Sequence, residues 1–159
     1  EEHPEQDRLM KLASPVIYDT EMAMIRESAF PTEDISTQYA IASGPEGLEA
    51  AIQDLCDRAA ATASAGTQIL ILSDRLDEQG HTTPLSDEKT YIPPLVAVGA
   101  VHHSLIAKGL RMQTSIIVDT AQCWSTHHYA CLLGYGATAI CPYLSLESFR
   151  HWLADSNSH

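Results

Sequence analysis

Residues 115–146 read SIIVDTAQCWSTHHYACLLGYGATAICPYLSL, and this stretch decides the fold class. Ser115–Val118 is short and apolar, the pattern of a strand covered on both faces. A polar mouth opens at Asp119. A helix is expected from about Trp124 to Leu133, stopping at Gly134, and Thr138–Cys141 is extended again. Strand, polar link, helix, glycine, strand is the phrase of a βα unit.

The same phrase recurs upstream. Ser43-Gly44-Pro45 opens a long helix whose Leu48, Ala51, Ile52, Leu55 and Ala59 keep helical spacing, with Gly66 placed to end it. Gln68–Ser73 (QILILS) follows as a buried strand. Pro93-Pro94 begin another helix in its first turn, where proline is tolerated. Leu95, Val98, His102 and Leu105 form its stripe, and Gly109 ends it. Nearer the start, Pro15–Tyr18 is a strand candidate, Asp19 or Thr20 caps a helix to about Ala29, and Ser36–Ala42 alternates as a strand. A last helix is expected over Ser145–Ala154. Residues 1–14 read as irregular and 74–92 as a long polar loop. The fold expected is α/β: alternating β-α units forming a mainly parallel sheet or partial barrel flanked by helices. Five strand candidates are too few for a complete eight-stranded barrel.

Length and composition set the outer bounds. The 159 residues suffice for one domain with a real core, and 45% hydrophobic with 19% charged residues is an ordinary globular balance. No apolar run approaches the roughly 20 residues of a membrane span, and Glu1–Arg8 has the wrong composition for a signal peptide. The chain lacks an initiator methionine, as expected of a fragment or processed product. Nine basic against twenty-one acidic residues give a net charge of −12, which repels phosphate backbones and argues against nucleic acid as a partner. Cys56, Cys123, Cys131 and Cys141 show no CxxC spacing and are expected as reduced, mostly buried thiols.

In parallel α/β folds, functional groups gather at the carboxyl ends of strands. Three such ends carry Asp74-Arg75, Asp119-Thr120 and Cys141-Pro142-Tyr143. Polar residues there also cap helices and satisfy loop backbone, and that is the reading adopted for Asp119 and Asp74. A sharper possibility is an Asp119, Cys123, His127 constellation, spaced four apart, in which the imidazole activates the thiol and the acid orients the imidazole. Against it, Asp119 precedes the helix, and triads usually draw partners from separate elements. Metal binding is a further possibility, since His102-His103 and His127-His128 are adjacent pairs. Neighbouring helical residues point about 100° apart, however, so neither pair chelates from one face. His102 lies in an apolar stripe and is expected as a hydrogen-bonded core residue. Gly134-Tyr135-Gly136 follows a helix and offers no helix N-terminus to a phosphate.

Several blocks together carry a resemblance. Gln68–Arg75 (QILILSDR), Tyr91–Leu110 (YIPPLVAVGAVHHSLIAKGL) and His127–Leu144 (HHYACLLGYGATAICPYL) closely resemble the central domain of glutamate synthases. Leu12–Pro15, Phe30–Pro31 and Gly47–Cys56 extend the agreement along nearly the whole chain. Asp119–Thr126 (DTAQCWST) resembles the ferredoxin-dependent type of cyanobacteria and plastids. The resemblance implies the later portion of a central domain that joins an amidotransferase domain to an FMN domain in the same polypeptide and helps to enclose an ammonia passage between them. The packed apolar walls such a passage needs would suit Ile140 and Leu144. The full enzyme makes two glutamates from glutamine, 2-oxoglutarate and reduced ferredoxin, using FMN and an iron–sulfur cluster. None of the family's catalytic, FMN-binding or cluster-binding motifs matches residues here, so no catalytic, cofactor-binding or metal residue is assigned to this segment. Ferredoxin is expected to dock elsewhere than on so acidic a surface. The implied location is the cyanobacterial cytoplasm or the plastid stroma. The rival readings are an autonomous cysteine- or metal-dependent α/β enzyme using Asp119, Cys123, His127 and His128, and a free-standing flavin-binding domain.

Overall fold

Apolar runs too short for helices but covered on both sides become the strands of a parallel sheet. The computed structural model describes residues 10–77, 80–83 and 86–156. In chain order the elements are α1 (Asp19–Arg26), β1 (Thr32–Ser36), β2 (Gln38–Ala40), α2 (Gly44–Ser64), β3 (Ile69–Ser73), β4 (Lys89–Tyr91), α3 (Pro94–Ala107), β5 (Ser115–Asp119), α4 (Thr126–Gly134), β6 (Ala139–Cys141) and α5 (Tyr143–Ser156). Four strands form a parallel sheet in the order β1-β3-β5-β6. The α/β class with a mainly parallel sheet is therefore as the sequence reads.

Each crossover moves one strand over in the same direction, so one crossover hand stacks α2, α3 and α4 on a single face. Leu70, Leu72, Ile116, Val118 and Ile140 meet Leu55, Ala59, Val98, Val101, Leu105 and Leu132 there. Strand alternation turns Ile69, Ile71, Ile117, Ala139 and Cys141 to the opposite face, where Ile17 and the α1 residues Met22 and Ile25 cover them. Both faces are buried, which is why QILILS and SIIV are continuous rather than alternating. The strand order does not reverse between β1 and β6, so no crevice of the doubly wound kind opens among these strands.

Several boundaries differ from the sequence reading, each for a physical reason. The strand expected at Ser36–Ala42 divides: Ser36 ends β1, and β2 pairs antiparallel with β4 in a separate ribbon. β1 is an edge strand reading TEDIS, in which Ile35 alone joins the core, so its polarity hides it. Residues 74–92, expected as loop, contain β4 and a bridge between Leu76 and Thr82; 78–79 and 84–85 lie outside the described residues. Of residues 1–14, 1–9 also lie outside them, and 10–14 form neither helix nor strand. Pro15–Tyr18 contributes a single bridge, Val16 to Ile140, beside β6. The residue capping α1 is Tyr18, whose N–H is taken by the Glu21 carboxylate at 2.8 Å, and Asp19 is left free for tertiary pairing. Gly134 stays inside α4. The turn residue is Gly136, at φ +117°, a backbone conformation that side chains oppose. α5 starts two residues earlier than expected, immediately after β6.

Candidate functional site

Parallel register puts the last residues of the strands side by side. Ser36 pairs with Ser73, Ser73 with Asp119 and Asp119 with Cys141, giving one row across the carboxyl end of the sheet. Alternation turns this row toward α1, as it does Ile71 and Ile117 two residues earlier. The three strand ends singled out from sequence do share one rim.

Asp119 is the centre of the row and is completely buried. Its Oδ2 accepts from Ser73 Oγ at 2.8 Å and from Arg75 Nε at 2.9 Å, while its buried Oδ1 has no hydrogen-bond partner among the described residues. Arg75 reaches on to Asp19 of α1 at 2.6 Å and lies 4.3 Å from the centre of the Tyr143 ring. Burial opposes the Arg75 charge, but Asp119 and Asp19 more than offset it, and the guanidinium is held charged. Burial raises the Asp119 pKa, and Arg75 and Ser73 only partly counter it. The unpaired Oδ1 is the structural counterpart of that rise. Sequence reading missed Asp19 and Ser73 because their roles depend on strands aligned in space.

Asp74 sits one residue on, with its carboxylate satisfied. It accepts from Thr120 Oγ1 at 2.6 Å, from the Ala121 N–H at 3.0 Å and from Tyr143 Oη at 2.7 Å. Burial, then Asp74, pushes the Tyr143 hydroxyl up, so it remains a protonated donor. Burial, with Asp119 and Asp19, likewise keeps the Cys141 thiol protonated. These groups bind one another, joining the ends of β3, β5 and β6 to the starts of α1 and α5.

The Asp119, Cys123, His127 constellation is not assembled. Asp119 faces α1, whereas Cys123 is fully buried in the core on the opposite side of the sheet, where burial raises its thiol to about 11. His127 meets a different thiol: Cys131 Sγ lies 3.5 Å from its Nε2 along α4. His128 holds the helix start, its Nδ1 accepting from the Trp124 N–H at 3.1 Å while its own N–H donates to the N-cap Ser125 Oγ. Among the described residues no group of three His, Cys, Asp or Glu side chains is placed to hold a metal ion.

One member of the other histidine pair, His102, serves the opposite rim. His102 Nδ1 accepts from Arg111 Nε at 2.9 Å, and Arg111 also donates to the Thr114 and Gly136 carbonyl oxygens at 2.6 and 2.8 Å. Burial, then Arg111, lowers the His102 pKa, which suits a neutral acceptor. This is the hydrogen-bonded histidine the apolar stripe predicts, although it lies partly exposed.

Thiol reactivity tests these placements. Cys56, Cys123 and Cys141 are buried and Cys131 is half-exposed. In native protein an alkylating reagent is expected to label Cys131 rapidly and the other three only on unfolding. The rapid phase should vanish in Cys131→Ser; rapid labelling of Cys123, mapped by mass spectrometry, would contradict its burial.

Known proteins resemble this chain in sequence. A ferredoxin-dependent glutamate synthase 2 of Synechocystis sp. is 49% identical over 154 residues, covering 97% of this chain and 10% of the relative. Ferredoxin-dependent glutamate synthases of Pyropia yezoensis and Oryza sativa subsp. japonica are 49% and 47% identical, over 96% and 94% of this chain. The chain thus spans about a tenth of the length of the relatives it matches. The family model described as glutamate synthase central domain matches residues 1–158, and on that match the chain belongs to the glutamate synthase central domain family.

Proposed function

We propose that this segment acts in a ferredoxin-dependent glutamate synthase as a structural connector, holding an amidotransferase domain and an FMN domain of the same polypeptide in register. It also borders the path by which ammonia passes between them. In this reading the chemistry, from glutamine, 2-oxoglutarate and reduced ferredoxin to two glutamates, belongs to those domains.

The observation that carries the reading is α5. None of its 14 residues is buried, and Phe149 and Trp152 stack in solvent at 5.8 Å while 57% and 61% exposed. A helix of this length is marginal in water without tertiary packing, so its apolar side calls for a neighbouring surface. Relatives about ten times as long supply room for one. The rim supports the same reading, because its carboxylates bind neighbouring side chains.

FMN and an iron–sulfur cluster are expected in the full-length enzyme. Among the described residues no three metal-binding side chains converge, which supports looking for the cluster elsewhere in the enzyme. We place both cofactors in other domains. The relatives' printed names include chloroplastic enzymes and a cyanobacterial source, in keeping with plastid stroma or cyanobacterial cytoplasm, and no described helix is long and apolar enough to cross a membrane.

The test uses a full-length synthase carrying this segment. Phe149→Ser with Trp152→Ser is expected to uncouple the enzyme, so that glutamine hydrolysis exceeds glutamate formation. Cys123→Ala with His127→Ala should leave the coupled rate within about twofold, the scale of small packing changes. Loss of turnover in the second pair, with normal folding by circular dichroism, would move the chemistry into this segment and overturn the connector role.

A further inference from the structure

We propose that Arg111 anchors a binding site for a small monocarboxylate with an apolar body, in the pocket at the amino-terminal end of the sheet. This site is independent of the connector role.

The starting observation is a cation without a counter-charge. Past the end of α3, Arg111–Gln113 makes one 3₁₀ turn before β5. That turn holds the Arg111 guanidinium against neutral acceptors: His102 Nδ1 and the Thr114 and Gly136 carbonyl oxygens. Every other described arginine pairs with a carboxylate. Arg26 meets Asp34, Arg58 meets Asp54, Arg75 meets Asp19 and Asp119, and Arg150 meets Glu147. Arg111 has no such partner among the described residues, in a chain with 21 acidic side chains. Burial moves its pKa down, and no carboxylate counters the shift. A partly buried charge in this position gains by taking up an anion. The guanidinium also carries more N–H donors than these three acceptors use, so hydrogen bonds remain for a ligand.

The pocket beside Arg111 selects among anions. Its volume is about 400 Å³, within the range of roughly 300–1,000 Å³ for small-molecule sites. Gln68, Gln113 and Ser115 bring amide and hydroxyl groups to the lining, while Met10, Phe30 and Met112 supply apolar surface. Among the described residues Arg111 carries the one formal charge of that lining, and the net charge of −12 repels multiply charged anions. A single carboxylate matches the planar fork of the guanidinium and leaves its apolar body for Phe30 and the methionines. Inorganic phosphate, largely dianionic near neutral pH, asks for more positive charge than one arginine provides.

Benzoate is the probe, titrated into the 159-residue chain and followed by amide NMR. We expect saturable shifts at Gln113, Thr114 and Ser115, with a dissociation constant of about 1 mM or tighter. Benzamide, which has the same shape without the charge, should bind at least about tenfold more weakly, and so should inorganic phosphate. Arg111→Lys keeps the charge but loses the fork, and should weaken benzoate by roughly tenfold. Met112 is 97% exposed, so Met112→Glu sets a like charge beside the pocket without touching the core. It should weaken benzoate by about tenfold or more. Val96→Glu adds the same charge at the far end of α3 and should behave as wild type. No saturable binding in the wild type, equal affinity for benzamide, tighter binding of phosphate, or unchanged affinity in Met112→Glu would each overturn the proposal.

Discussion

Arg75→Ala is expected to lower the unfolding free energy by about 3–5 kcal/mol near neutral pH, the scale for removing one partner of a buried ion pair. The loss follows from what stays behind. Asp119, with no exposed surface, would keep only Ser73 as a donor, and Asp19 would lose its link to the rim. The deficit should depend on pH in a definite direction. Asp119 already has its pKa raised by burial, and losing Arg75 raises it further. A carboxyl group whose folded pKa exceeds its unfolded value contributes stability below the unfolded pKa and loses it as pH rises through the folded pKa. The gap between Arg75→Ala and wild type should therefore be largest at neutral pH and narrow in acid. Urea unfolding at several pH values measures it. In an Asp119→Asn background the same Arg75 substitution should cost much less, and the double-mutant cycle gives their coupling. Additive effects with no narrowing in acid would mean the pair is not an energetic unit.

Gly136→Ala is expected to destabilise the chain by about 2–4 kcal/mol, combining backbone strain with overpacking. At φ +117° the added Cβ has an unfavourable backbone, and it would lie 2.7 Å from His102 Cγ. It would push against the imidazole that accepts Arg111, and so strain the contacts joining α3 to the starts of β5 and β6. Gly109 is the control. It has φ +70°, but no atom lies within 4 Å of the place its Cβ would take, so Gly109→Ala should cost only about 1 kcal/mol. Adding His102→Ala to Gly136→Ala should recover part of the loss by removing the overlap. Thermal unfolding of the set decides the matter: if Gly136→Ala proves as mild as Gly109→Ala, the close approach carries no energetic weight.

Much of this architecture was legible because its signals are local. QILILS and SIIV announce buried strands by being apolar without alternation. Pro93-Pro94 mark a helix start, and Gly109 marks a stop by needing no neighbour to explain it. β1 was missed because TEDIS has one core residue in five, and nothing within five residues says they lie along the edge of a parallel sheet. The end of α4 was read to within a residue, but its turn was given to the wrong one of two competing glycines, and only the backbone shows that Gly136 takes the positive φ.

The rim was legible as a location and illegible as a set of partnerships. Asp74, Asp119, Cys141 and Tyr143 end or follow strands, so parallel topology brings them to one edge. Spacing along the chain pointed from Asp119 to Cys123 and His127. Register and pleat point elsewhere: Ser73 and Asp119 are cross-strand neighbours on the α1 face, and Cys123 belongs to the core behind the sheet. His127 found a thiol on its own helix one turn later, where helical periodicity places it.

By itself, then, the order of apolar runs and glycine stops determined the βα repetition and the parallel sheet, because hydrophobic periodicity and turn chemistry are properties of adjacent residues, while the family was carried by the resemblance of whole blocks such as Gln68–Arg75 and His127–Leu144. The tertiary structure alone decided which polar groups meet and which apolar faces remain bare. Those outcomes depend on strand register, on the two-residue alternation that sends Val118 and Asp119 to opposite sides, and on whether a surface such as α5 finds anything to pack against.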